Sequence, residues 1–305
     1  MMKLKWNIVK LRELLSEKET ELELEKESNR INTKTFSSID QIEYDIQTLR
    51  YMLSMPLIDV KKFKNNMTCY KILASQIDIK NVKIPTYLYK SKLKDVGNKD
   101  MIDLVKFTLN EDDKYLLERL IDNEQINISH NDSMMDYTGY IIGEGNVYIN
   151  VNYAGPIRTP LVLMHELGHA KQYLDLYDRD EFLWLYTSYF NEVDSILNEM
   201  IFLDEISMLL PKEEVKREKY YFLLNYIKTI DTANDTLTSY QYSYLVAHYF
   251  FDLYKNNRIL FEKKYKKFND LVKTNIDENS ILYSLKISSD DMTEAYKNYI
   301  KKYRK

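Results

Sequence analysis

Apolar residues recur at helical spacing over most of this chain and change to strand-like alternation at one place. Residues 3–30 read as an amphipathic helix with Ile8, Leu11 and Leu15 on one face. It closes on the charge run EKETELELEKES, a pattern typical of a solvated helix face. Residues 38–55 form a second helical pattern, with Ser38 placed to cap it ahead of Ile39, Ile42 and Ile46. Residues 56–100 are mixed. There the stretch NVKIPTYLYK reads as extended, because the residue before Pro85 is pushed out of helical geometry. Residues 101–123 return to helix, with Leu104, Phe107, Leu116, Leu117 and Leu120 as core candidates.

The texture changes over residues 136–155, DYTGYIIGEGNVYINVNYAG. Gly139, Gly143 and Gly145 cluster there, and a strict alternation follows. Val147, Ile149 and Val151 point one way, and Tyr148, Asn150 and Asn152 point the other. This predicts a β-hairpin turning near Gly143–Asn146. Beyond Pro160 nearly everything is helical, and no internal repeat or low-complexity linker interrupts it.

With 305 residues and 45% hydrophobic content, the chain can bury a sizeable core. Only 6 glycines and 5 prolines interrupt it, which favours a mainly α fold with a small β-hairpin or sheet. A net charge near −4, with both signs interspersed, argues against nucleic acid as a partner. The single cysteine, Cys69, excludes an internal disulfide and a paired-cysteine metal site. No apolar run reaches membrane-spanning length, and the basic start lacks a cleavage site, so the expectation is a cytoplasmic protein without a membrane partner.

Two of the chain's four histidines fall in LVLMHELGHAKQYL, residues 161–174. His165 and His169 stand one turn apart on the same helix face, where two imidazoles can reach one metal ion. Glu166 is offset by about 100° and is free to act as general base on a water beside the metal. Helix-borne HExxH carries this zinc-hydrolase mechanism with it. Gly168 costs the helix about 1 kcal/mol against alanine, so its bare surface is expected to serve a purpose. Leu161, Leu163, Met164 and Leu167 are expected to sink the helix into the core.

Zinc hydrolases use three protein ligands. The His169 helix should end near Asp175–Asp178, with Asp180 capping the next helix from about residue 181. If that helix folds back antiparallel, Glu192 lies ~18 Å past the turn and His169 ~15 Å before it, roughly level. Glu192 is therefore the expected third ligand. Asp194 is its rival, although it points roughly 200° away on the wheel. Glu199, two turns beyond Glu192, is either a group that orients a ligand histidine or a solvent-facing or capping charge.

HELGHA followed by Glu192-Val193-Asp194-Ser195-Ile196-Leu197-Asn198-Glu199 resembles the thimet-type (M3) metallopeptidases, above all their oligoendopeptidase F branch. The resemblance covers residues ~135 to ~250. It implies a zincin-like (gluzincin) helical metallopeptidase with one Zn²⁺ per chain on His165, His169 and Glu192. Glu166 is then the base, and short oligopeptides are the substrate. Asp194 departs from the small or proline residue usual in the family. The family's strand pair before HExxH is matched by NVYINVNYAG, which there pairs with the substrate backbone, as an exposed edge can. Tyr240-Gln241-Tyr242 matches the segment whose tyrosines donate to the substrate carbonyl, which makes Tyr240 and Tyr242 substrate-binding candidates with Tyr244 nearby. The family's histidine ahead of those tyrosines is missing from DTANDTLT, and His248 follows instead on the Tyr240 face.

The implied division is a reduced N-terminal helical region, 1–130, and a catalytic core, 131–305. HELGHA also occurs in ImmA-type regulatory metallopeptidases, which cleave one repressor, but these carry a different second segment. A non-catalytic, zinc-containing peptide-binding protein and a helical scaffold with an accidental HExxH are the other readings.

Overall fold

The architecture is that of a computed structural model, which describes residues 6–29, 36–54, 72–73, 93, 96–130, 136–141, 144–177, 190–231, 236–237, 239–272 and 278–301. It is mainly helical with one small mixed sheet, and its chain divides into two compact units. The first comprises Met1–Met67 and Val96–Asp180; the second comprises Thr68–Asp95 and Glu181–Lys305. These units part the chain elsewhere than at residue 130. The extended piece expected at 81–90 and the cap expected at Asp180 lie outside the described residues.

In the first unit, helices α1 (Ile8–Asn29) and α2 (Phe36–Ser54) pack together. Helix α2 starts two residues ahead of Ser38, so Ser38 lies inside its first turn and does not cap it. The single helix expected over 101–123 is two, α3 (Asn98–Thr108) and α4 (Glu111–Asp122). Asn110 separates them. Its backbone is extended, and its side chain accepts a hydrogen bond from the Asp113 amide at 2.9 Å. Glu111, Asp112 and Asp113 follow, placing negative charge at the helix N-terminus. Leu117 and Leu120 are buried as expected, Leu104 and Leu116 are half-buried, and Phe107 is 48% exposed. The break re-phases the residues after it, so one continuous helical wheel does not describe both halves.

Three strands follow: β1 (Ile126–Ser129), β2 (Tyr137–Ile141) and β3 (Asn146–Asn152). Strands β2 and β3 form the expected antiparallel hairpin, with Thr138 opposite Ile149 and Gly139 opposite Tyr148. Gly145 supplies the positive φ (60°) that the tight turn demands. Strand β1 was not legible in the pattern. It pairs parallel to β3, Ile126 with Ile149 and Ile128 with Val151, so the order is β1-β3-β2.

This order corrects the edge-strand expectation. NVYINVN is the central strand, hydrogen-bonded on both sides, and both of its faces are covered. Tyr148 and Asn150 are buried rather than solvent-facing. On one face Ile141 and Tyr148 join Trp6, Leu11, Leu49 and Met52 in a core cluster with α1 and α2. The Trp6 indole donates to the Gln125 carbonyl at 3.1 Å, which fixes the entry into β1. The opposite face, carrying Thr138, Tyr140, Val147, Ile149 and Val151, meets helix α5 (Arg158–Tyr177).

The second unit is built on α6 (Val193–Glu205), α7 (Lys212–Asp231), α8 (Ser239–Asn256), α9 (Arg258–Val272), α10 (Glu278–Leu285) and α11 (Ser289–Lys301). Helix α8 is its axis. Its residues Leu245, Val246, Ala247 and Phe250 are fully buried, and α6, α9 and α11 pack around it. Phe250 lies 5.1 Å from the Phe268 ring and 5.3 Å from Tyr265, so an aromatic layer fills the α8–α9 interface. Ile72–Leu73 pairs antiparallel with Thr236–Leu237 within this unit.

Gly139 is where the sheet comes closest to α2. A Cβ there would stand 2.8 Å from the Tyr137 ring, 3.2 Å from Met52 Sδ and 3.3 Å from Thr48 Cγ2. Gly139→Ala is therefore expected to cost about 1–3 kcal/mol of stability, read as a lowered urea midpoint at unchanged m-value.

Candidate metal centre

Helix α5 enters from the end of β3 through Gly155, whose φ of +115° favours glycine. The Thr159 hydroxyl accepts from the Ala154 amide at 2.9 Å, and Pro160 sits in the first turn, where its missing N–H is not needed. Leu161, Leu163, Met164 and Leu167 are buried as expected, and Gly168 is buried among them. The helix therefore holds its central turns rigidly against the sheet.

On that helix the His165 and His169 rings lie 5.0 Å apart, nearly edge-on. His165 is buried and His169 half-buried. One turn further, Tyr173 stacks on His169 at 6.3 Å and meets Tyr140 of β2 at 5.9 Å. Glu166 is buried. Its Oε2 accepts from the Thr138 hydroxyl at 2.6 Å, and its backbone carbonyl lies 3.1 Å from the same hydroxyl. Burial pushes the Glu166 carboxyl above the usual carboxylate range, against the pull of His165, His169 and the Thr138 hydrogen bond.

Glu192 stands at the N-terminal boundary of α6, after a turn over Phe190–Glu192. Residues 178–189 lie outside the described residues. Phe190–Glu192 form a turn and α6 starts only at Val193, so the helix expected from residue 181 does not run unbroken through Glu192. Phe190 is 3% exposed; its ring stacks on Tyr242 at 5.7 Å and meets Phe268 at 5.3 Å, which anchors the turn two residues before Glu192. Neither Thr138 nor Phe190 was singled out from the sequence. Thr138 shares the hairpin face of Ile149, and that register was the signal that could have found it.

Ligand atoms of His165, His169 and Glu192 all lie within 4.8 Å of one another. Donors around a tetrahedral zinc are spaced about 3.3 Å apart, so two imidazoles and a carboxylate in this arrangement fit zinc in both chemistry and reach. Asp194, the rival ligand, is engaged elsewhere: it accepts from the Tyr265 hydroxyl of α9. Glu199 is buried at 8% exposure, which overturns the solvent-facing alternative for it.

The tyrosine segment divides. Tyr240 is half-buried at the start of α8. Tyr242 is buried against Phe190, and Tyr244 is fully buried between Phe222, Tyr296 and His248. His248 is a core residue at 1% exposure, with Tyr244 at 4.3 Å, Tyr299 at 4.5 Å and Tyr296 at 5.3 Å. Neither ring nitrogen has a hydrogen-bond partner among the described residues. Burial pushes its pKa down to about 3. It stays neutral at physiological pH and supplies no cationic donor in place of the family histidine.

Two solved structures share this fold. One, from Chlamydophila abortus and assigned as a peptidase, aligns over 69% of this chain at 15% identity with a TM-score of 0.55. The other, from Bacillus anthracis str. Ames and assigned as an oligoendopeptidase F, aligns over 88% at 13% identity with a TM-score of 0.51. The chain spans 47% and 63% of their respective lengths. No protein-family profile matches the chain, and no curated protein matches it in sequence. Among the described residues, no helix is long and apolar enough to cross a membrane.

The His248 environment sets an acid limit on stability. In the unfolded chain this imidazole takes up a proton near pH 6.5; in the folded chain it does so only near pH 3. The stabilisation is whole above pH 6.5 and is lost as pH falls toward 3, by about 2 kcal/mol at pH 5. Urea unfolding of wild type and His248→Phe at pH 7 and pH 5 measures this. The variant is expected to lose less stability between the two pH values.

Proposed function

We propose that this protein is a zinc-dependent endopeptidase of the thimet-type (M3), oligoendopeptidase F-like kind, acting on short oligopeptides. The observation that carries the reading is the convergence of His165, His169 and Glu192 donor atoms, with a buried carboxylate, Glu166, on the same helix. The fold likeness to structures assigned as a peptidase and an oligoendopeptidase F supports it.

His165 and His169, on consecutive turns of α5, would hold one Zn²⁺ together with Glu192. When bound, the ion supplies Lewis acidity that polarises a peptide carbonyl and makes water a nucleophile at neutral pH. Glu166 takes the proton from the attacking water and passes it to the leaving amine nitrogen. Tyr240, half-buried at the head of α8, and Tyr242 are the proposed donors to the carbonyl oxygen. The Tyr242 ring stacks on Phe190, a contact that does not use its hydroxyl.

Substrate backbone pairing, assigned above to NVYINVN, passes to β2. This strand, like β1, lies at an edge of the sheet among the described residues, and it is the one whose Thr138 touches Glu166 of the HExxH helix. Residues 131–305 form the catalytic region in this reading, and 1–130 the part that precedes it.

Elemental analysis and cleavage of a mixed peptide pool test the proposal together. Wild type is expected to carry one zinc per chain and to cut many pool members. Glu166→Gln keeps the zinc and loses roughly 10²–10⁴-fold in kcat. Glu192→Ala loses stoichiometric zinc. Wild-type protein that holds no zinc sinks the metal assignment, and a pool left almost wholly uncut sinks the oligopeptidase assignment.

A further inference from the structure

The hairpin ahead of α5 carries a side chain with no role yet in the chemistry. Thr138 is 7% exposed and points from β2 onto the HExxH helix. Its hydroxyl reaches Glu166 Oε2 at 2.6 Å and the Glu166 carbonyl oxygen at 3.1 Å. A hydroxyl has one proton to donate, and the shorter contact takes it. One carboxylate oxygen is thereby tied to the sheet.

Three features make this a built contact. The donor sits on a strand and not on a loop, so its position is fixed by the pairing of Thr138 with Ile149. Its neighbour Gly139 faces α2 closely enough that a Cβ there would stand 3.2 Å from Met52 Sδ and 3.3 Å from Thr48 Cγ2. A slip of one residue in register would point the Thr138 side chain at α2 instead of α5. The acceptor is equally fixed, since α5 is buried on both sides of Glu166 by His165 and Leu167.

We propose that Thr138 is the positioning residue for the general base. It holds Glu166 in one rotamer, with Oε2 engaged and the remaining carboxylate oxygen presented for proton transfer. Resting on the peptidase reading above, this gives the hairpin a second task beside any pairing with substrate. A group that steers a reacting carboxylate from behind typically contributes roughly 10- to 100-fold in activity.

The test uses Thr138→Val, which keeps the shape and removes the donor, and Thr138→Ser, which restores it. Thr138→Ala stands in if the valine variant folds poorly. Zinc content, unfolding midpoint, kcat and KM are measured for each. The expected result for Thr138→Val is a kcat lower by roughly 10- to 100-fold, with KM and zinc stoichiometry unchanged and an unfolding midpoint lowered because the buried Oε2 loses its donor. Thr138→Ser is expected to recover most of the loss. Wild-type kcat in Thr138→Val, or no recovery in Thr138→Ser, overturns the proposal. Crystal structures of metal-free wild type and Thr138→Val read the geometry without any turnover. A Glu166 carboxylate displaced in the variant supports the positioning role, and an unmoved one refutes it. If wild type neither holds zinc nor cuts peptides, the peptidase reading fails while this comparison still decides what Thr138 does.

Discussion

A carboxylate sunk in protein beside two imidazoles has to be held by protein donors, because burial strips it of much of its hydration. In this chain the holder is a strand. Three features upstream of α5 put β2 in one register and on one side: Gly145 lies in the turn, β3 supplies the ladder, and the α1–α2 pair packs on the opposite face. The cluster of Trp6, Leu11, Leu49 and Met52 is far from any chemistry in sequence, yet it backs the sheet against which the HExxH helix is seated. In energetic terms, apolar burial on one face of the sheet stabilises a polar contact on the other.

The second unit reaches a similar end by different means. Phe190, Tyr242 and Phe268 stack behind the turn that presents Glu192, and α6 then begins. Rings lock an irregular backbone segment that hydrogen bonding alone would leave loose. The abundance of tyrosine, uninformative as composition, is used here as packing. Tyr244, Tyr296 and Tyr299 enclose His248 in the same way.

What could be read from the chain and what could not follow a physical line. His165, Glu166 and His169 were legible because an α-helix has one period, so spacing alone fixes which side chains share a face. The β2–β3 hairpin was legible for the corresponding reason at period two. Strand β1 was not, because four residues with a parallel, non-local partner leave no local trace. The break at Asn110 was written in the run Asn110-Glu111-Asp112-Asp113 but was masked by leucines on either side at helical spacing. The role of β3 was misjudged because alternation says which face a residue takes and nothing about which strands flank it. Glu192 was named through an assumed continuous rod, whereas a turn and a helix start position it. Thr138 could be found only once register was known.

The strand order has a consequence for how the molecule comes into being. The middle strand of the sheet is the last of the three along the chain. As the polypeptide leaves the ribosome, β1 and β2 therefore emerge with no neighbour to bond, since they never pair with each other. The hairpin can zip as soon as residue 152 is out, and β1 can dock only onto that finished template. Biogenesis of the platform is thus ordered by topology, and the helix that bears the histidines emerges just as the surface it rests on becomes complete.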